Sequence, residues 1–138
     1  MTGANGKLVI RVFGKAGCEK CKVLQNRLDD VLSHPQWGDR FEKEYVDVET
    51  EEGIVAFCKA ECLNPQRIPA FLILKRNPQT GRLEPLPNPT PGKSDPVCGS
   101  RRLYQYLGLQ TDYSETGKGI ITKAMIEAIL AEAAAHAS

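Results

Sequence analysis

The sequence predicts an α/β domain, with a small mixed sheet of about four strands flanked by helices on both faces. Three observations lead there. Two runs rich in β-branched and apolar residues, "KLVIRVF" at Lys7–Phe13 and "PAFLILK" at Pro69–Lys75, read as strands. Between them, from Cys18 onward, apolar residues recur at helical spacing. The resulting order is strand, helix, strand, helix, strand, strand, loop, helix. That order suits a parallel βαβ unit with a right-handed crossover, followed by an antiparallel hairpin.

Each element has its own local reason. Gly14 and Gly17 bracket a short loop after the first strand, and the helix that follows carries Val23, Leu24, Leu28, Val31 and Leu32 on one stripe. His34-Pro35 ends it, because a residue before proline is pushed out of the α region. "FEKEYVDVE", Phe41–Glu49, alternates as a second strand with Tyr45 and Val46 near its centre. Thr50 is an N-cap for a helix running to about Leu63, with Glu51 and Glu52 at the positive end of its dipole, and Asn64-Pro65 breaks it. After the strand at Pro69–Lys75, Asn77–Gly81 is turn chemistry and "RLEPL" a short returning strand, with Pro85 at an edge or strand end. "PNPTPGKSDP" is an extended proline-rich loop, and "SRRLYQYLGL" predicts a short helix with Leu103, Tyr106 and Leu107 on one side. The last element is an alanine-rich helix to about Ala135, capped by Thr122 and stapled by Ile121 and Ile126. Trp37 reads as a packing anchor for the loop after the first helix.

Composition limits the function classes. A chain of 138 residues suits a single domain over 1–138, with the proline-rich insertion at about 87–118 placed before the final helix. Apolar and charged fractions of 41% and 25% are those of an ordinary globular protein. A net charge of +1 without blocks of like charge predicts no nucleic-acid surface. No stretch approaches the roughly 18–20 apolar residues that span a bilayer, and the N-terminal apolar run is too short for a signal sequence. A cytoplasmic, monomeric protein without a membrane partner is the expectation. In a reducing cytosol, cysteine pairs are more often redox-active or metal-binding than structural, and the five cysteines form an odd set.

The pair in "FGKAGCEKCK" carries the chemistry. Cys18 falls at the first turn of a helix, where unpaired N–H groups and the positive end of the dipole favour thiolate over thiol. Lys15, Lys20 and Lys22 against Glu19 push the same way. Cys21 lies one turn on, on the same side, close enough to pair after modest adjustment. A low-pKa nucleophile with a resolving thiol behind it is what thiol–disulfide exchange requires. The spacing alone also suits half of a zinc knuckle, so a metal-binding protein stays open as the alternative, as does a non-catalytic interaction module. Cys58 and Cys62, at i and i+4, read as buried small apolar residues of a helix, with an auxiliary redox or metal role as alternatives. Cys98 reads as a loop cysteine beside Arg101-Arg102, and neither His34 nor His136 is assigned a role.

Pro69, in "RIPAFLIL", stands at the head of the third strand after a helix and a loop. Together with the Cys-x-x-Cys this resembles the thioredoxin superfamily over about Lys7–Leu86. "GKAGCEKCK" is similar to the glutaredoxin form of the motif, and "RIPAFLILK" resembles thioredoxin. The resemblance implies a thioredoxin-like fold and thiol–disulfide oxidoreductase activity on protein or small-molecule disulfides. It implies Cys18 as nucleophile, Cys21 as resolving thiol, a cis Pro69 facing them, and Ile68 offering its main chain to an extended substrate. No bound cofactor is implied, only an external reductant, either thioredoxin reductase or glutathione. Gly17 stands where thioredoxins carry tryptophan, and Val12 falls where they carry a buried acid. Glu19-Lys20 matches neither subfamily between the cysteines.

Overall fold

The computed structural model describes residues 7–15, 17–50, 69–88, 103, 106–111 and 121–136. Its first strand, β1 (Leu8–Gly14), is buried on both faces, which is why its sequence is an almost unbroken apolar run. Leu8, Ile10 and Val12 point into one core, while Val9 and Phe13 point into a second on the opposite face. The exception is Arg11, which stands opposite Glu44 on the neighbouring strand and pairs with its carboxylate.

Helix α1 (Glu19–Leu32) turns Cys21, Leu24, Leu28 and Val31 inward. This corrects the expected stripe by one position: Val23 is 39% exposed, and Cys21 takes the buried place in the first turn. Ser33 closes the helix, its N–H reaching back to the carbonyls of Asp29 and Asp30. A one-turn helix not foreseen in the sequence follows, α2 (Pro35–Gly38), with Pro35 at its first position, where a missing N–H costs nothing. Trp37 on α2 is buried against Phe41, ring centroids 6.1 Å apart, and its Nε1–H donates to Glu127 Oε2 at 3.3 Å. It anchors the loop as expected.

Strand β2 (Phe41–Asp47) runs parallel to β1 in the register Leu8↔Phe41 to Gly14↔Asp47. It ends two residues earlier than the sequence suggests, because Asp47 starts a turn: its carboxylate accepts from Glu49 N and its carbonyl from Thr50 N. The helix expected from Thr50 to about Leu63 lies outside the described residues. Strand β3 (Ala70–Arg76) pairs antiparallel to the other side of β1, and β4 (Leu83–Pro85) returns antiparallel along Leu74–Arg76. Pro85 sits in this short strand at the end of the order β2-β1-β3-β4.

One expectation is overturned. The second half of "SRRLYQYLGL" is not helical: Tyr106 bridges to Pro87, and β5 (Gly108–Gln110) pairs antiparallel with Ala70–Leu72. β4 and β5 therefore share one edge of β3, and among the described residues the sheet has five strands rather than four. The physical reason is that β4 covers only the C-terminal half of β3, leaving the backbone groups of Ala70–Leu72 in need of partners. Gly108 allows the close approach, since a Cβ there would collide with the Phe71 carbonyl.

Helix α3 (Lys123–His136) packs on the same face as α1. Thr122 Oγ1 accepts from Met125 N at 3.2 Å, the capping expected, and Ile121 and Ile126 are both buried in the core beside it. Arg27 of α1 donates to the Ile121 carbonyl at 2.9 Å, and Lys123 pairs with Asp30 at 2.9 Å, so α1 and α3 are tied at both charge and backbone level. On the opposite face Val9, Phe13, Leu72, Leu74 and Leu103 form the second core, with Val46, Val48, Leu83 and Tyr106 packed against it.

Candidate active site

The loop from β1 to α1 is built around Gly17, whose φ of +75° lies in the left-handed region that a side chain disfavours. That conformation accounts for glycine at the position before Cys18. Cys18 then takes an extended conformation, φ −90° and ψ 111°, as the N-cap of α1, one residue before the helical turn in which the sequence places it. Its sulfur accepts from Cys21 N at 3.1 Å, and its carbonyl receives Lys22 N at 3.1 Å. A sulfur that fills the place of a capping oxygen sits among the unpaired N–H groups of the helix start, which favours its anionic form.

Cys18 and Cys21 are joined as a disulfide, with Cα atoms 5.2 Å apart. The N-cap and third helical positions bring the two sulfurs together without breaking the helix, so the spacing in the sequence is the geometric requirement. The pair is asymmetric in exposure. Cys18 is half-buried at the surface, whereas Cys21 is 2% exposed and packed beneath the helix. Lys15, Glu19, Lys20 and Lys22, in and next to this turn along the chain, are all exposed.

Pro69 lies buried immediately before β3, on the far side of a groove of about 250 Å³ lined by Lys20, Val23, Leu24, Arg27, Thr111 and Ile121. The motif helix and Pro69 thus share one depression. Pro69's carbonyl is held twice by Thr111, from its N–H at 3.2 Å and its hydroxyl at 2.6 Å. Ile68 lies outside the described residues, as do Cys58, Cys62 and Cys98. Among the described residues, no group of three or more His, Cys, Asp or Glu side chains is placed to hold a metal ion. Among the described residues, no helix is long and apolar enough to cross a membrane.

Two contributors escape the sequence. Thr111 falls in the segment read as helix and loop, so nothing in its letters marks it as the clamp on Pro69. Tyr45 closes the site from β2. A Cβ added at Gly14 would lie 3.0 Å from both Tyr45 Cε1 and Oη and 3.2 Å from Cys21 Sγ, so ring and sulfur flank the notch that Gly14 leaves. Val12 is fully buried in the core directly across the ladder from Tyr45, and no carboxylate occupies that position. Burial first, and then the charges of Asp47 and Glu49, raise the Tyr45 pKa above 10.0, which keeps the phenol protonated. The signal available beforehand is the alternation of "FEKEYVDVE", which puts Tyr45 on the same face as Phe41 but cannot say what it meets there.

No family model matches the sequence, and no curated protein matches it. Solved structures do match. A chloroplastic thioredoxin z superposes with a TM-score of 0.53 at 17% identity, covering 96% of this chain and 82% of that one. A thioredoxin from Thermus thermophilus is 27% identical over 59% of this chain and 60% of its own, with a TM-score of 0.40. A poxviral disulfide oxidoreductase is 16% identical, covering 89% and 90%, also at 0.40. The first of these, with the strand order and the position of the cysteine pair, shows that the chain has the thioredoxin fold and carries a Cys-x-x-Cys disulfide at the start of its first helix.

Proposed function

We propose that this protein is a cytoplasmic, monomeric thiol–disulfide oxidoreductase. The observation that carries this is the pairing of a half-buried cysteine at a helix N-cap with a fully buried one bonded behind it. In the reduced state the Cys18 thiolate attacks one sulfur of a substrate disulfide, forming a mixed disulfide and releasing one substrate thiolate, which takes a proton from solvent. Cys21 then gives up its proton and attacks Cys18 Sγ, reforming the Cys18–Cys21 bond and releasing the second substrate thiol. Two electrons pass from the protein dithiol to the substrate. An external dithiol or glutathione returns them, so no bound cofactor takes part.

Each candidate residue has a place in that cycle. Lys15, Lys20 and Lys22 and the helix dipole stabilise the Cys18 thiolate. Pro69, as a cis residue, keeps an N–H away from the sulfurs, and the main chain at Ile68 pairs with an extended substrate segment. The groove between α1 and Pro69 accepts the residues flanking the substrate disulfide, with Val23 as its exposed apolar contact. The test is reduction of insulin disulfides by wild type and Cys18→Ser, recycled either by thioredoxin reductase or by glutathione. Turnover by wild type with one donor, abolished in the variant, is the expected result. No turnover with either donor, together with stoichiometric zinc that blocks thiol titration, overturns the assignment in favour of a metal site.

A further inference from the structure

The exchange cycle leaves one step without an assigned group. Cys21 must become a thiolate to attack the mixed disulfide, yet it is 2% exposed and lies at the third position of α1 rather than at its cap. Burial of a thiol in apolar surroundings raises its pKa and slows that step. Among the described residues, Val12 on the adjoining strand is apolar and fully buried and offers no base.

A polar side-chain atom, Tyr45 Oη, comes near this sulfur. Gly14 ends β1 directly beneath the motif, and the space where its Cβ would stand is bounded by Cys21 Sγ at 3.2 Å and Tyr45 Oη at 3.0 Å. The hydroxyl and the sulfur therefore border the same small notch, open because residue 14 has no side chain. Tyr45 is 39% exposed, so its ring is not enclosed by the core on every side. We propose that the Tyr45 hydroxyl donates a hydrogen bond to Cys21 Sγ and holds it as the attacking thiolate in the resolving step. This rests on the exchange cycle above, and Tyr45 is a positioning residue that acts through Cys21.

The charged and titratable groups around this pair fit a donor rather than a base. From β2 and the turn after it, Asp47 and Glu49 act on Tyr45, and burial adds to them, so the phenol keeps its proton through the neutral range. From β1, Gly14 and Val12 bring no charge, and the loop that follows brings the exposed Lys15. From α1, the groups at this end are Cys18, Glu19, Lys20 and Lys22, the last three of them exposed. A charge-assisted hydrogen bond is among the stronger ones available to a thiolate, and water can replace part of it at a half-open site.

The test is the thiol titration of Cys21 in a Cys18→Ser background, followed by thiolate absorbance and by alkylation rate against pH. Tyr45→Phe keeps the ring and removes only the hydroxyl. The expected result is a rise in the Cys21 pKa of about half to one unit, a roughly threefold to tenfold fall in thiolate at neutral pH. In the two-cysteine protein, release of the second substrate thiol slows by the same factor relative to formation of the mixed disulfide. Tyr45→Ala is the control for packing. If Tyr45→Phe titrates like its parent and only Tyr45→Ala changes, the ring is a structural cover and the proposal is overturned. The titration needs no turnover, so it separates from the assay of the function itself. A protein without reductase activity whose Cys21 still responds to Tyr45→Phe overturns the oxidoreductase assignment and leaves the Tyr45–Cys21 coupling standing.

Discussion

Gly14→Ala is the sharpest structural test of the site, because its effects on stability and on chemistry separate. The added methyl would stand 3.0 Å from two atoms of Tyr45 and 3.2 Å from Cys21 Sγ, a few tenths of an ångström inside ordinary contact. The two neighbours differ in what they can give. Tyr45 is 39% exposed and can swing outward, whereas Cys21 is buried and bonded to Cys18. Overpacking of a core methyl costs about 1–3 kcal/mol, and a neighbour free to move brings this to the low end. Against it, alanine is better than glycine in a strand by roughly 0.5–1 kcal/mol, and Gly14 is a strand residue whose φ is not positive. The net change in unfolding free energy should be within about 1 kcal/mol of zero, read from urea denaturation of the oxidised protein. The ring, however, is displaced from the notch. The Cys21 thiolate should therefore be depleted in the same direction as in Tyr45→Phe, by about threefold or more at neutral pH. A loss of stability above about 3 kcal/mol would refute the reasoning, since it would mean that Tyr45 is held rigidly and cannot make room. An unchanged thiol titration with the fold intact would refute it from the other side.

Other expectations follow from the same geometry. Cys21→Ser should trap the mixed disulfide between Cys18 and a substrate, visible as a covalent adduct on a non-reducing gel; an adduct through any other cysteine contradicts the assignment of Cys18 as nucleophile. Leu28→Ala empties a fully buried site between α1 and the sheet and should cost about 2–5 kcal/mol in urea denaturation while leaving the thiol titrations unchanged. Gly17→Ala meets nothing within 4 Å, so its cost of about 1 kcal/mol comes from the left-handed backbone alone; a stabilised variant would show that the turn relaxes. Tyr45 has a folded-state pKa raised above 10.0, so its contribution to stability is complete below about pH 10 and is lost as pH rises through the folded value. Wild type should accordingly lose stability faster than Tyr45→Phe on alkaline titration, and parallel curves would remove that linkage.

Legibility in the sequence follows how local the cause is. β1, α1, β3 and the capped C-terminal helix each rest on patterns contained within their own residues. The Cys-x-x-Cys at a strand-to-helix junction is equally local, because the i, i+3 separation and the helix start do all the geometric work. Val23 is exposed where its place in the pattern predicts burial, because a stripe of branched residues does not say which edge of it the sheet will cover. β5 is illegible for a different reason: Gly108–Gln110 is a strand only because β4 stops short and leaves half of β3 to be paired. No property of "GLQ" itself encodes that demand.

From the sequence alone come an α/β domain, a dithiol motif at a helix start, and a proline at the head of the third strand. Those follow from backbone propensities and spacings that act over a few residues. Tertiary structure decided which cysteine is the less buried, that Thr111 clamps the Pro69 carbonyl, and that Tyr45 and Cys21 border the same space beside Gly14. These join residues far apart in the chain, through the parallel register of β1 with β2 and the pairing of β5 with β3, and a register exists only once the strands are side by side.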